Sequence, residues 1–469
     1  MTVYKCSVCE TIYDEKKEGK KWYQLPEDWA CHVCESSKSF FKPVGEVVAK
    51  PEVPEVITAD TSDYLEQIKR ESDELEIYVA DIHEIAETGK SIIEPMRTRK
   101  LTFSWDEILI KGAQLAKIPL NSDEPVNTKT IIGPGAKKPL IIDTPIYVTH
   151  MSFGALSKEA KIALAKGSSA VRTAMCSGEG GILPESLENA YKYIFESVPN
   201  QYSMTEENLK KVDAIEIKIG QSAKPGMGGH LPAEKVTQEI AAIRGFAEGI
   251  DIMSPSHFDD VKNREDLRKK VNWLRTISGG KPIGVKLAAG NIEADLEVAL
   301  YAEPDFVTMD GRPGATGAAP KFIKAAASLP TIFALYRAKK FLDQKGAKSI
   351  SLVVTGGLRV SSDFVKALAL GADAIAIGTA ALMACGCQQY RICDTGKCPM
   401  GITTHDPKLR SRLDVDKSAK RLENFLRVST EELKDFARLT GNSDVHELSI
   451  KDICTTNLEI SSHTEIEHV

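Results

Sequence analysis

The chain has 469 residues, of which 42% are hydrophobic and 27% charged, and its formal net charge is −6. Single cores stop growing at roughly 250–300 residues, so one barrel-sized domain with smaller appendages is expected. Mild acidity, with neither a basic arm nor an aromatic–basic stripe, argues against nucleic acid as a partner.

The N-terminus, Met1-Thr2-Val3-Tyr4-Lys5-Cys6, lacks the charged-then-apolar build of a secretory signal. The longest low-polarity run, Gly371 to Cys387, is rich in Gly and Ala and reads as a buried strand with its flank. A membrane span needs about 20 apolar residues, mostly larger ones. A cytoplasmic protein with no membrane partner is expected. Of the 10 cysteines, all but Cys176 and Cys454 fall in two tight clusters, which in a cytosolic protein points to metal rather than disulfides. Cys176 and Cys454 read as ordinary buried or surface thiols.

In chain order, residues 1–43 form a small unit. Cys6-Ser-Val-Cys9 and Cys31-His-Val-Cys34 are two C-x-x-C knuckles separated by 21 residues, a spacing that closes a tetrahedral four-thiolate site for iron or zinc. Residues 44–63, with Lys50-Pro51-Glu52-Val53-Pro54-Glu55, read as an extended linker. Residues 64–144 form a mixed lead-in segment, helical at first and stopped near Glu94-Pro95.

From 145 to 410, short apolar runs recur, each followed by Gly, Ser or Asp and an amphipathic stretch. They are Ile146–His150, Thr173–Ser177, Ala214–Gly220, Asp251–Ser254, Pro282–Leu287, Phe306–Asp310, Ser351–Thr355 and Ala374–Gly378. Runs apolar on both faces that alternate with helices predict parallel β/α packing, and eight units predict a closed (β/α)₈ TIM barrel over a doubly wound sheet. Residues 411–469 form a C-terminal helical extension, with a helix at Lys420–Gly441 and a polar end expected to be poorly ordered.

The first knuckle pair resembles rubredoxin in Tyr4, Tyr13-Asp14, Leu25-Pro-Glu-Asp-Trp-Ala-Cys31, Lys38 and Phe40-Phe41. That resemblance implies one iron, with zinc as the alternative. Glu10 and Glu35 depart from the family, which usually has Gly after each knuckle.

Near the other end, Cys387, Cys393 and Cys398 are spaced C-x₅-C-x₄-C, with Pro399 next and Cys385 just upstream. Thiolates this close suit an iron–sulfur cluster, and Cys385 offers a fourth ligand to zinc or to the cluster. The stretch from Gly386 to Arg410 resembles the [3Fe–4S] loop of the FMN-binding glutamate synthase domain, which implies Cys387, Cys393 and Cys398 as ligands. With Cys385 added, the cluster would be [4Fe–4S].

Gly-rich turns follow the last two proposed strands: Gly356-Gly357 in Thr355-Gly-Gly-Leu-Arg359, and Gly378-Thr379. Backbone amides freed there suit a phosphate. The glutamate synthase resemblance covers Met151 to Arg410 and implies FMN as cofactor. Met151, Ser152, Gly154, Ser177, Gly356, Gly357, Gly378 and Thr379 are then flavin-side residues. Lys286 would stand near the flavin pyrimidine. The resemblance assigns Glu179, Lys218, Gln221 and Lys224 to catalysis. It implies reductive amination of 2-oxoglutarate with ammonia, electrons from a donor protein or reductase subunit, and ammonia from solution or a separate glutaminase subunit.

Several positions depart from that family. His230 stands for a Gln, Met227 for a Glu, and Phe258 for a second His after His257. Pro199–Tyr202 lacks the substrate-binding Arg, which Arg312 is placed to replace. These changes surround the substrate, so another amine (as in N-methylglutamate synthesis) or another 2-oxo acid is an alternative, as is an electron-transfer flavoprotein without amination.

Overall fold

Eight short parallel strands close on themselves in the computed structural model, which describes residues 2–9, 11–44 and 72–469. They are β1 Ile146–Val148, β2 Ala174–Cys176, β3 Lys192–Ser197, β4 Ala214–Lys218, β5 Ile283–Ala288, β6 Phe306–Asp310, β7 Ser351–Thr355 and β8 Ala374–Ile377. Each pairs with the next, and β8 pairs with β1, giving the expected closed barrel.

One strand differs from the sequence reading. The stretch Asp251–Ser254 contributes only Ile252–Met253, which pairs antiparallel with His230–Leu231 outside the barrel. The missing strand is β3, between β2 and β4. Its sequence hides it: Glu196 and Ser197 are buried in it but read as polar, and only the short helix α2 (Pro184–Asn189) precedes it.

The period of two along each strand sorts side chains into two cores. Ile146 and Val148 face outward, into the large cluster shared with the helices, while Tyr147 joins Ala174, Phe306 and Val353 inside the barrel. A hairpin of Thr130–Ile132 and Leu140–Ile142 adds Ile132, Leu140 and Ile142 to that interior. It does so at the lower end, because Gly133 lies against Pro282 and Asp305, just before β5 and β6. Functional groups are therefore left to the opposite end, where the strands finish. Gly284 makes room inside: a Cβ there would stand 2.2 Å from the Phe306 ring.

Among the other helices are α1 (Lys158–Ala170), α3 (Glu206–Lys211), α4 (Arg264–Ile277), α5 (Ile292–Tyr301), α6 (Thr331–Gln344), α7 (Ser361–Ala369) and α8 (Val415–Leu439). Helix α8 packs against both α1 and α7. It approaches α1 closely at Gly167, where a Cβ would lie 2.8 Å from the Ala419 carbonyl oxygen. The polar C-terminal end is ordered: Ile453–Thr455 pairs with Ile108–Ile110 and with Glu467–His468.

The chain divides into two compact units, Met1–Glu87 and Thr88–Val469. In the first, Val3–Cys6 is the centre of an antiparallel sheet with Ile12–Asp14 and Phe41–Val44. Tyr4 stacks on Trp22 at 4.3 Å, and Tyr13, Trp29 and Phe41 complete an aromatic core. The expected linker over 44–63, the helical start at Tyr64 and the knuckle residue Glu10 lie outside the described residues. Helix Val79–Thr88 ends before Glu94-Pro95, where Gly89 takes a left-handed φ of 62°. Among the described residues, no helix is long and apolar enough to cross a membrane.

Candidate functional site

The four N-terminal thiols converge as their spacing predicts. Cys6 Sγ lies 3.7 Å from Cys34 Sγ, Cys9 Sγ lies 3.6 Å from Cys31 Sγ, and all four sulfurs fall within 4.8 Å of one another. A tetrahedron with metal–sulfur bonds of about 2.3 Å has edges of about 3.8 Å, so the set fits one ion. Burial raises the Cys31 thiol, but the Val33 and Cys34 amides outweigh it and bring it to about 6, favouring the thiolate. Glu35 takes a φ of 56°, a left-handed conformation that costs a non-Gly residue roughly 1–2 kcal/mol.

In the second unit, a cleft opens over the ends of the barrel strands. Its wall includes Met151, Ser152, Glu179, Lys218, Gln221, Lys224, Lys286, Gly356, Gly357, Gly378 and Thr379. Two of the expected residues stand one layer behind. Gly154 accepts a hydrogen bond from His405 Nε2 at 2.7 Å through its carbonyl, and Ser177 Oγ accepts one from the Glu196 amide at 2.9 Å.

Two glycines of the cleft are required by geometry. Gly356 has φ 110° and Gly357 φ 93°, and a Cβ on Gly356 would fall 2.0 Å from the Gly311 carbonyl oxygen. After the neighbouring strand β8, Gly378 begins the helix Thr379–Cys385 with no side-chain hydrogen bond at its cap among the described residues. Arg359 joins the same wall, and burial pulls its guanidinium down to about 10. Free amides, glycine-lined space and a guanidinium suit a phosphate monoester, so these residues fit the phosphate end of a mononucleotide cofactor.

The opposite wall carries the titratable groups. Glu179 Oε2 is 2.5 Å from Lys218 Nζ, and its Oε1 accepts the Gly229 amide at 3.1 Å. Burial raises the Glu179 carboxyl, but the Lys218 charge and hydrogen bond, Ser254 and Lys224 outweigh it and hold it at about 2. Burial lowers Lys224 to about 8 against the pull of Glu179; its ammonium donates to the Gly228 carbonyl at 2.7 Å.

Arg244 also lines this wall. Its Nη2 donates to the Phe153 carbonyl at 2.8 Å, its guanidinium lies 5.3 Å from the Tyr202 ring centre, and its buried Nε has no partner among the described residues. Among the described residues, neither Lys224 nor Arg244 forms an ion pair with a carboxylate. Two buried cations beside an already paired Glu179 make this wall a receptor for anions.

Below, Lys286 sits 3.8 Å from Asp310 and 3.9 Å from Glu196. Burial lowers its amine, but Asp310, Glu196 and Glu216 outweigh this and raise it well above the usual lysine value. His150 Nε2 is 3.0 Å from Glu216, and Thr308 donates to the same carboxylate.

The C-x₅-C-x₄-C loop forms another part of the wall, with Cys387, Cys393 and Cys398 all facing the cleft. Burial raises Cys393 to about 11 and also raises Cys387. Cys398 is lowered instead: burial works upward, but the Thr403, Ile402 and Met400 amides and the Thr403 hydroxyl outweigh it. Gln389 Nε2 stands 3.2 Å from Cys387 Sγ. Several thiols with N–H groups aimed at their sulfurs are the donor set of an iron–sulfur cluster. Cys385 packs into the main core, is raised by burial to about 12, and does not line the cleft.

Residues 77–443 match the family model described as conserved region in glutamate synthase, and residues 3–41 match that of rubredoxin. The chain belongs to the glutamate synthase family. A glutamate synthase large subunit-like protein of Rhizobium meliloti is 36% identical over 408 residues, 83% of this chain and 92% of that protein. An archaeal glutamate synthase [NADPH] of Methanocaldococcus jannaschii is 40% identical over 356 residues, 75% of this chain and 67% of that one. An archaeal-type glutamate synthase [NADPH] of Thermotoga maritima is 33% identical over 467 residues, 94% of this chain and 89% of that one. Membership makes the chain an oxidoreductase acting on CH–NH₂ groups.

Within this glutamate synthase fold, some readings of individual residues change. Arg312 does not line the cleft; it donates to the Ala325 carbonyl at 2.7 Å, and Arg244 supplies the guanidinium instead. His230 lies in the wall, 3.2 Å from Asp251, whereas Met227 is 41% exposed outside it and Phe258 is buried in the main core. Sequence reasoning missed Arg244, His150, Glu196, Glu216 and Asp310. Glu196 and Glu216 had one usable signal, a carboxylate inside an otherwise apolar strand run; Arg244 had none, since a helical Arg reads as a surface charge.

Proposed function

We propose that this chain makes L-glutamate by reductive amination of 2-oxoglutarate with ammonia. The observation that carries the reading is the pair of buried cations without carboxylate partners, Lys224 and Arg244, flanking the Glu179–Lys218 pair. A dicarboxylate needs two cations, and these two are spare. Lys218, kept charged by Glu179, is placed to polarise a 2-oxo carbonyl, with Gln221 beside it as a hydrogen-bonding group. Glu179, ionised at any physiological pH, is placed to accept a hydrogen bond from the attacking amine and not to give a proton. Lys224, near 8, is the group able to exchange a proton with the substrate around neutrality.

FMN, when bound, would supply the hydride for the substrate carbon; Met151, Ser152, Gly356, Gly357, Gly378 and Thr379 would hold it, with Lys286 lining the same cleft. Gly154 and Ser177 support these loops from behind. Lys286 places a fixed positive charge in this site, and Asp310 and Glu196 hold it in position. Cys387, Cys393 and Cys398 fit a [3Fe–4S] cluster, and the four N-terminal thiols fit one iron, with zinc the alternative. A donor protein or reductase subunit would supply the electrons, which is where the NADPH in the relatives' names would act. Ammonia comes from solution or a separate glutaminase subunit.

The test uses anaerobic holoprotein, chemically reduced, given 2-oxoglutarate and ¹⁵N-ammonium. Labelled glutamate with stoichiometric flavin reoxidation is the expected result. A flavin that stays reduced, in protein with verified cofactor content, overturns it. A second reading, another amine or 2-oxo acid, is favoured by His230, which puts an imidazole paired with Asp251 where the family has Gln. Reoxidation with methylamine or another oxo acid alone would establish it.

A further inference from the structure

Beside the three cysteines stands a lysine from a distant part of the chain. Lys235 ends the short turn Ala233–Lys235, which follows the strand His230–Leu231, and its side chain is 5% exposed. Its ammonium lies 3.1 Å from the Cys393 carbonyl oxygen and 3.4 Å from that of Ala155. The first carbonyl belongs to the cysteine loop, the second to the loop after β1 that lines the cleft. Among the described residues, Lys235 forms no ion pair with a carboxylate. Two carbonyls accept from its N–H groups but do not neutralise it, and a buried ammonium without a counter-ion is costly. Its place against Cys393, with Cys398 and Asp394 near enough to act on its charge, supplies that counter-ion as soon as the thiols are deprotonated by a cluster.

We propose that Lys235 is a positioning residue of the iron–sulfur centre: its ammonium pins the Cys393 peptide to the loop after β1 and serves as the counter-ion of the cluster. A fixed positive charge stabilises the reduced, more negative cluster over the oxidised one, so Lys235 raises its reduction potential. One amine thus does two things for electron flow within this unit. It keeps the cluster loop in register with the cleft, and it makes the cluster a ready acceptor.

The inference rests on the cluster reading, and the experiment separates the two. Iron and acid-labile sulfide are first measured in the wild-type holoprotein; absence of a cluster there removes both readings. With the cluster present, its midpoint is followed by EPR-monitored redox titration in the full chain for wild type, Lys235→Met and Lys235→Arg. Lys235→Met is expected to lower the reduced-to-oxidised ratio at a fixed poise about tenfold, a shift of about 59 mV for a one-electron couple. Lys235→Arg is expected to keep the wild-type midpoint. Loss of the cluster from Lys235→Met with retention in Lys235→Arg also supports the role, because only the charge and donors differ in kind. A wild-type midpoint in a fully loaded Lys235→Met protein overturns it. So does loss of the cluster from both variants, which would mean that the site reads the shape of the lysine stem and not its charge.

Discussion

Cys6, Cys9, Cys31 and Cys34 come from two knuckles that fold almost on themselves, and their paired sulfurs already stand at 3.6 and 3.7 Å. Cys387, Cys393 and Cys398 come from one loop, yet their surroundings are gathered from far along the chain. Met96 Sδ lies 3.7 Å from Cys393 Sγ, Lys235 holds the Cys393 carbonyl, and Ser157 Oγ donates to the Gly401 carbonyl at 2.7 Å. The first site encodes its geometry locally and needs little else. The second borrows its electrostatics from the barrel, so its properties answer to residues that no cysteine motif contains.

The largest effect should separate the two outright. Cys9→Ser is expected to abolish metal binding by the N-terminal unit while leaving the barrel's cluster content unchanged. Cys393→Ser should do the reverse. Metal and sulfide analysis of the purified variants checks both, and loss of both centres from either variant would break the distinction.

Next in size is the cleft. Lys224→Ala is expected to lower kcat/KM for amination about 100-fold, which corresponds to about 2.7 kcal/mol, with flavin reduction kept at the wild-type rate. Equal loss of both activities would remove Lys224 from substrate binding. Inside the barrel, Gly284→Ala is expected to cost about 1–3 kcal/mol in denaturant unfolding, because its Cβ must displace the Phe306 ring. No change in the midpoint would mean that the interior repacks freely.

The same contrast explains what was legible in the sequence. Knuckle spacing, seven of the barrel strands and the glycine turns are local patterns, each carried by neighbouring residues. What could not be read comes from charge placed against expectation. Strand β3 does not show in the sequence because Glu196 and Ser197 read as surface residues, although both are buried. From sequence, Arg312 in another loop is a candidate to restore the anion contact, whereas Arg244 reaches the cleft from a helix by packing against Gly154 and Gly180. Burial reverses the ordinary meaning of a charged residue, and only the fold reports burial.

The narrowest expected effect, absent near neutral pH, concerns His405, which ties the cysteine loop region to the barrel. Burial brings its imidazole down to about 4, against the lift from its hydrogen bond to Gly154; Lys235, Arg410 and Arg244 push the same way as burial. Its Nε2 donates to Gly154, and its Nδ1 is buried with no partner among the described residues, so the folded protein holds it neutral. The unfolded chain, with a value of about 6.5, binds the extra proton first. Stability contributed by His405 is therefore full above about pH 6.5 and declines as pH falls toward 4, by about 1 kcal/mol per pH unit in the middle of that window. Glu179, held at about 2 when folded and about 4.3 when unfolded, begins to lose its contribution at the foot of that window and loses most of it between about pH 4 and 2. His405→Gln should keep a donor for Gly154 but flatten the pH 6.5–4 limb relative to wild type, leaving the lower limb in place. Denaturant midpoints measured at half-unit pH steps decide it: parallel curves through pH 5 would mean that the buried histidine does not titrate with folding.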